Sequence, residues 1–287
     1  MKPTLQNCLI CPECHSSLQL DVFHSEGEEV LDGLLRCSCG LEFPVIHGVP
    51  RMLPSGLLGS LKDDYPEFFD RYGSLRRNGG QSPDPEMPIQ RRTQEAFGFE
   101  WTWSADYNAD NFSDWLPAGF DARQCFTGKR GLEVGCGAGR HAAMTATLAA
   151  EHVAVDLSRA VDSAFARARS LPNCHVVQAD AMHLPFAERS FDYVYCLGVI
   201  QHTPDPPATF KALAKQPRPE GILLVNVYQA SRPVMLFLLE CLRKDECSLE
   251  GILRIPSLRC HPVAPAPTEP RVDGRLLSCS VAPDPAT

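Results

Sequence analysis

The stretch LEVGCGAGRH, residues 132–141, decides the fold because a short apolar strand pattern runs directly into a glycine-rich loop. The loop glycines are Gly135, Gly137 and Gly139. A dinucleotide fingerprint needs its third glycine at position 140, which is Arg140, and a P-loop needs a Lys-Ser/Thr pair that is missing here. The loop permits close approach of its backbone to a ligand, but it lacks the features of a phosphate loop.

Five apolar runs alternate with helical patterns between residues 95 and 230, which predicts a parallel α/β sheet. The runs are RGLEV, HVAVD, CHVVQAD, FDYVYCL and GILLVNVY. Helices are predicted in GRHAAMTATLAA and in SRAVDSAFARARS, the second with Ser158 as its N-cap. Carboxylates and glycines follow four strands, at Glu133 to Gly139, Asp156, Asp180 and Gly198. Sheets of this kind bind ligands at the carboxyl ends of their strands, so we expect the site there.

The strand-end carboxylates suit a cofactor that carries a positive charge, an ammonium group, a ribose and an adenine, whereas they would repel a pyrophosphate. LEVGCGAGR, followed by VDLS, QADAMHLPF and SFDYVYCLGVIQH, resembles the class I S-adenosylmethionine-dependent methyltransferases. The resemblance covers roughly residues 95–230 and rests on four motifs in the family's order. It implies a doubly wound, mostly parallel Rossmann-like α/β sheet and methyl transfer from S-adenosylmethionine.

The resemblance also assigns cofactor contacts by position. The implied cofactor-binding residues are Glu133, Gly135, Gly137, Gly139, Asp156, Asp180, Ala181, Met182, Leu197 and Gly198. The loop glycines and Glu133 would face the methionine part, whose floor Leu197 and Gly198 would line. Asp156 would accept hydrogen bonds from both ribose hydroxyls. Asp180 would accept one from the adenine amino group, with Ala181 and Met182 beside the ring.

The candidate catalytic residue is His202, in VIQHTPDP. The sulfonium already makes the methyl group electrophilic, so the protein has to orient the acceptor and, for a hydroxyl or amine, to accept a proton. A histidine suits that second task because of its pKa near neutrality. The alternative is that His202 only packs or caps its loop.

Residues 1–55 contain two close cysteine pairs, in CPEC and CSCG, which predict a zinc-ribbon-like module. The predicted ligands of a structural Zn²⁺ are Cys11, Cys14, Cys37 and Cys39, with His15 as a spare candidate. The C-x-C spacing of the second pair leaves open a site that has lost its metal, and a redox CPEC is a further alternative. With FPVIHGVPRMLP, the segment looks like the small ribbon proteins that activate partner methyltransferases.

Three other segments complete the predicted organisation. Glycines and prolines in SLRRNGGQSPDPEMP predict a linker over residues 56–94, before a methyltransferase core over 95–244. FGFEWTWSADYNADNF resembles an aromatic lead-in that either covers the cofactor or packs in the core, with Phe99, Trp101, Trp103 and Tyr107. Seven prolines and little alternation predict a disordered or degenerate tail over 245–287, which would leave the sheet incomplete and one edge exposed for self-association.

Composition limits the partners. The net charge of −8 argues against nucleic acid, and no apolar run approaches the ~18 residues of a membrane span. Thirteen cysteines without a secretion signal predict reduced thiols in a cytoplasm. The sequence therefore predicts a methyltransferase for a small-molecule or biosynthetic acceptor. Alternatives are a ribbon-assisted RNA or protein methyltransferase, and a cofactor-binding remnant without turnover.

Overall fold

The computed structural model describes residues 1–75, 91, 94, 112–116 and 119–227. Its strands are β1 Leu18–Glu26, β2 Glu29–Cys37, β3 Glu42–Ile46, β4 Val49–Met52, β5 Arg130–Val134, β6 Glu151–Asp156, β7 Cys174–Ala179, β8 Phe191–Leu197 and β9 Pro217–Asn226. Its α-helices are α1 Pro3–Gln6, α2 Leu61–Asp64, α3 Pro66–Tyr72, α4 Ala122–Phe126, α5 Arg140–Ala146, α6 Val161–Ala168 and α7 Pro206–Ala214. Short 3₁₀ turns occupy Leu58–Ser60, Phe112–Trp115 and Ile200–His202.

All nine strands belong to one continuous sheet with the order β1-β2-β3-β4-β7-β6-β5-β8-β9. The strands β1 to β4 form an antiparallel meander, and the pairings from β4 through β9 are parallel. The predicted mostly parallel Rossmann-like α/β sheet is therefore confirmed, with all five predicted strands in place. The cysteine-rich N-terminal meander precedes this sheet in the chain, and it joins the sheet through β4.

Both faces of the parallel strands are covered, as a doubly wound sheet requires. Successive side chains of a strand point to opposite faces. On β6, Val153 and Val155 pack with apolar side chains of the N-terminal region and α7. Between them, Ala154 packs on the opposite face with the alanines of α5 and α6.

The predicted linker begins with folded structure. Residues 58–72 form a 3₁₀ turn and the helices α2 and α3, and they bury Leu58, Leu61, Phe68 and Phe69. Apolar residues recur there at the three- and four-residue spacing that places them on one face of a helix. The linker-like composition lies in the later part of the predicted linker. The glycines and prolines at positions 78–88 lie outside the described residues.

The helix after β6 also differs from its prediction. It begins at Val161 with Ala160 as N-cap, so Ser158 is not the capping residue. The Ser158 hydroxyl donates instead to the Asp156 carboxylate at 2.7 Å, and its oxygen accepts from the Ala160 N–H at 3.3 Å. Ser158 thus connects the Asp156 carboxylate to the turn that leads into α6.

Some predictions lie outside the described residues: the aromatic lead-in at Phe99, Trp101, Trp103 and Tyr107, the tail over 245–287, and the sheet edge beyond β9. Within the described ranges, no helix combines the length and apolar character needed to cross a membrane.

Candidate functional site

A cavity opens at the carboxyl ends of the central parallel strands. Its lining includes eight of the ten predicted cofactor positions together with His202, namely Glu133, Gly135, Gly137, Asp156, Asp180, Ala181, Leu197 and Gly198. Gly139 and Met182 are not among the lining residues. The strand order explains this convergence, because β7, β6, β5 and β8 are neighbours in the sheet.

The glycine loop forms one wall of the cavity and is held close to β6. The amide groups of Gly135 and Cys136 both donate to the Val155 carbonyl, at 2.7 and 2.9 Å. Gly135 has φ +86°, and a Cβ built there would lie 2.1 Å from Val199 Cγ2. The loop can therefore pass the opposite wall only without a side chain at this position.

Gly139 packs against α6 and does not line the cavity. Its φ is +77°, and a Cβ built there would lie 2.8 Å from Ala164 on α6. This glycine thus permits close contact between the start of α5 and α6.

Asp156 lies at the end of β6 and organises the loops on both sides. One carboxylate oxygen accepts from the Gly137 N–H at 2.8 Å. The other accepts from the backbone N–H and the hydroxyl of Ser158, at 2.8 and 2.7 Å. Burial raises the pKa of this carboxyl, against the lowering by these hydrogen bonds. A carboxylate has about four acceptor positions, so capacity remains for a hydroxyl of a ligand.

Asp180, after β7, is buried in the cavity wall. Its carboxylate accepts from the Met182 N–H at 3.1 Å, and its other oxygen lies 2.9 Å from His183 Nδ1. These contacts hold the turn 180–183, in which Met182 binds Asp180 through its backbone and does not line the cavity.

Glu133 lines the cavity and is held by a buried network of polar side chains. The Tyr195 hydroxyl donates to its carboxylate at 3.0 Å, while Thr145 Oγ1 and His152 Nε2 lie 3.0 and 3.5 Å from the same tyrosine oxygen. His152 Nδ1 in turn lies 3.0 Å from the Tyr193 hydroxyl. Burial raises the pKa of Tyr195 well above its ordinary value, which keeps it a donor. The network fixes the carboxylate at the cavity, and strand periodicity alone gave no sign of it.

Several lining residues escaped the sequence analysis. His141 Nδ1 lies 3.9 Å from the Glu133 carboxylate, and its ring lies 5.0 Å from that of Phe112. Burial lowers the pKa of His141. Its position directly after the glycine loop could have indicated that it lies near the cavity. Gln94 and Trp115 also line the cavity, but they come from segments far from the motif, for which local patterns carry no information.

The four predicted metal ligands come together. The sulfur atoms of Cys11, Cys14, Cys37 and Cys39 all lie within 4.8 Å of one another, and those of Cys14 and Cys37 are 3.2 Å apart. A tetrahedron with Zn–S bonds of about 2.3 Å has S···S edges of about 3.8 Å, so the cluster fits one tetrahedral ion. The C-x-C pair belongs to this cluster, and His15 does not.

Tight turns present each cysteine pair. The His15 N–H donates to the Cys11 carbonyl at 2.9 Å, and the Gly40 N–H donates to the Cys37 carbonyl at 3.0 Å. Both turns use left-handed backbone, at His15 (φ +58°) and Gly40 (φ +90°). His15 therefore serves the first turn through its backbone.

Comparisons with known proteins agree with this geometry. Residues 132–225 match the family model described as Methyltransferase domain. The uncharacterized methyltransferase YcgJ of Bacillus subtilis is 30% identical over 116 residues, which are 39% of this chain and 46% of that protein. A ubiquinone biosynthesis O-methyltransferase of Xanthomonas campestris is 34% identical over 133 residues, 43% of this chain and 54% of that protein. The chain thus spans about half the length of these curated relatives.

Among solved structures, N-methyltransferase NodS of Bradyrhizobium japonicum, in complex with S-adenosyl-L-homocysteine, is 18% identical with a TM-score of 0.43. The match covers 52% of this chain and 85% of NodS. The family match runs from the middle of β5 through most of β9, and it includes the glycine loop and the carboxyl ends of β5 to β8 that line the cavity. Residues 132–225 are thus similar to the family of methyltransferase domains.

Proposed function

We propose that this chain is an S-adenosylmethionine-dependent methyltransferase that acts on a small-molecule or biosynthetic acceptor. The observation that carries the proposal is the convergence of Glu133, Asp156 and Asp180 on one cavity beside the glycine loop. Carboxylates at three strand ends complement an ammonium group, a ribose and an adenine amino group. They disfavour a pyrophosphate, and with it a nicotinamide cofactor.

The roles proposed for the individual residues follow from their positions. Asp156 binds the ribose, Asp180 binds the adenine amino group, and Ala181 contacts the ring. Glu133, held by Tyr195, faces the amino-acid part across the glycine loop, and Leu197 and Gly198 form its floor. When bound, the cofactor supplies an electrophilic methyl group. The chain's own task is then to align the acceptor with that group and to keep water out.

The proposed proton acceptor is His202, which lines the cavity in the turn Ile200–His202. It follows the end of β8, on the side of the cavity formed by Val199, Thr203 and Pro204. A hydroxyl acceptor that loses its proton to an imidazole there becomes the stronger nucleophile. The alternative, a structural role in the loop, predicts that His202→Gln leaves the pH dependence of turnover unchanged.

The acceptor is proposed to be a small molecule because the similar Xanthomonas campestris protein is a ubiquinone biosynthesis O-methyltransferase. The net charge of −8 also disfavours RNA. We propose further that the four-cysteine cluster holds one structural Zn²⁺. Two alternatives give different results. If the chain is a ribbon-assisted RNA or protein methyltransferase, it should methylate one of those polymers. If it is a cofactor-binding remnant, it should bind the cofactor but methylate no acceptor.

We predict that Asp156→Ala weakens the binding of S-adenosylhomocysteine by roughly 10- to 150-fold. Loss of hydrogen bonds to a charged group costs about 1.5–3 kcal/mol, and the Gly137 and Ser158 amides lose their common acceptor as well. Titration calorimetry measures the affinity.

The matched control is Asp192→Ala, because Asp192 accepts from the Arg130 N–H at 2.8 Å but does not line the cavity. Unchanged affinity in Asp156→Ala would remove this residue from the site. Tight binding of NADH, with no response to S-adenosylhomocysteine, would overturn the proposed function.

A further inference from the structure

A fully buried arginine joins the N-terminal region to the methyltransferase domain. Arg51, on β4, is 0% exposed. Its guanidinium lies 2.5 Å from the Asp162 carboxylate on α6, donates to Gln178 Oε1 at 3.1 Å and to the Ile46 carbonyl at 3.1 Å. It also lies 4.5 Å from the centre of the Tyr65 ring. A charge buried this deeply is stable only while its partners stay in place.

The register of the sheet places Arg51 in the same row as Asp156, the residue proposed to bind the ribose. Arg51 pairs with Gln178 across β4 and β7, and Gln178 pairs with Asp156 across β7 and β6. The Gln178 side chain continues this link, because its amide nitrogen donates to the Leu157 carbonyl at 2.9 Å. Leu157 and Asp156 both line the cavity, whereas Arg51 and Gln178 do not.

Two further contacts from the same N-terminal region hold the segment that follows β6. The Tyr65 hydroxyl donates to the second oxygen of Asp162 at 2.6 Å. Asp64, on α2, lies 3.4 Å from the guanidinium of Arg159. Residues before position 75 therefore fix the segment 156–162 at its start, through Gln178, and at its end, through Asp162.

We propose that Arg51 is a positioning residue for the cofactor site. It holds the segment 156–162 so that the Asp156 carboxylate and the Ser158 turn keep the geometry that the ribose requires. This inference rests on the proposed function for the identity of the ligand, but the ordering of the segment can be measured without any ligand. The N-terminal region thereby contributes to cofactor affinity without touching the cofactor.

The test compares Arg51→Met with Arg130→Met in the full chain. Arg130 is the control: it is partly exposed, begins β5 at the amino ends of the parallel strands, and likewise contacts a carboxylate (Glu151, 2.7 Å) and an aromatic ring (Phe191, 5.1 Å). Three measurements are made on each variant: the melting temperature, hydrogen exchange of the amides of residues 157–162, and S-adenosylhomocysteine affinity by calorimetry. Binding is measured well below the melting temperature.

We expect both variants to lose stability, but only Arg51→Met to accelerate exchange in residues 157–162 and to weaken binding by tenfold or more. Tyr65→Phe removes only the hydroxyl bonded to Asp162 and should weaken binding about threefold. If Arg51→Met does not fold, this variant tests whether the N-terminal region holds the segment 156–162. Equal affinity and equal exchange in the tested variant and the control would overturn the inference. A wild-type chain that binds no S-adenosylhomocysteine would overturn the proposed function, and the exchange measurement would still show whether Arg51 holds the segment.

Discussion

Replacing Gly135 by alanine is expected to weaken the binding of S-adenosylhomocysteine more than tenfold and to destabilise the fold. The new methyl group would lie 2.1 Å from Val199 Cγ2, on a backbone with φ +86°. Overpacking costs about 1–3 kcal/mol, and left-handed backbone costs about 1–2 kcal/mol for a residue with a Cβ. The melting temperature should therefore fall by roughly 5–20 °C, and affinity for S-adenosylhomocysteine by more than tenfold, because relief of the clash moves two walls of the cavity apart.

Gly128→Ala is the control for the backbone contribution. Gly128 also has positive φ, +70°, but a Cβ there would meet no atom within 4 Å. We expect this variant to lose about 1–2 kcal/mol of stability and to bind the cofactor normally. Calorimetry and thermal unfolding of both variants give the comparison. Normal binding by Gly135→Ala would show that the loop does not pass Val199 as closely as described.

Loss of the proposed zinc ion should have the second large effect. We expect one zinc per chain in protein purified without chelator, and none in the double variant Cys37→Ser/Cys39→Ser. Structural zinc contributes about 10–16 kcal/mol to the folding of isolated zinc-finger peptides. Here the cysteine turns adjoin a larger buried core, so we expect a loss of several kcal/mol and a fall in melting temperature of roughly 10 °C or more.

The control for the metal prediction is Cys125→Ser, a half-buried cysteine outside the cluster. It should retain zinc and melt close to the wild type. Elemental analysis and thermal unfolding, each with and without chelator, are the measurements. Zinc that survives the double replacement, or a wild-type chain free of zinc, would contradict the proposed ligand set.

Local patterns in the sequence were sufficient for the parallel strands and for most of the cavity. RGLEV and FDYVYCL coincide with β5 and β8, because uninterrupted apolar runs between turn residues are typical of strands buried on both faces. The ends of such strands meet at one edge, so the sequence alone predicts that Asp156, Asp180 and Gly198 lie together, and all three line the cavity. The cysteine cluster followed from spacing in the same way.

Contacts between distant segments were beyond these patterns. The parallel pairing of β4 with β7 joins short strands more than a hundred positions apart, and the network behind Glu133 draws on β5, α5, β6 and β8. Gly139 shares the glycine motif, yet its close neighbour is Ala164 on another helix. Such roles depend on which surfaces meet after the chain has folded, and no local propensity encodes that.

The pairing of β4 with β7 sets an order of events during synthesis. Arg51 and Gln178 are 127 residues apart, so at ~5–20 residues per second the ribosome needs roughly 6–25 s to deliver the second partner after the first. During that interval the nascent meander presents an unpaired strand edge, and the Arg51 guanidinium lacks its partners Asp162 and Gln178. Pairings of such long sequence separation form slowly. The N-terminal region, although translated first, completes its packing only after three further strands of the parallel sheet have emerged.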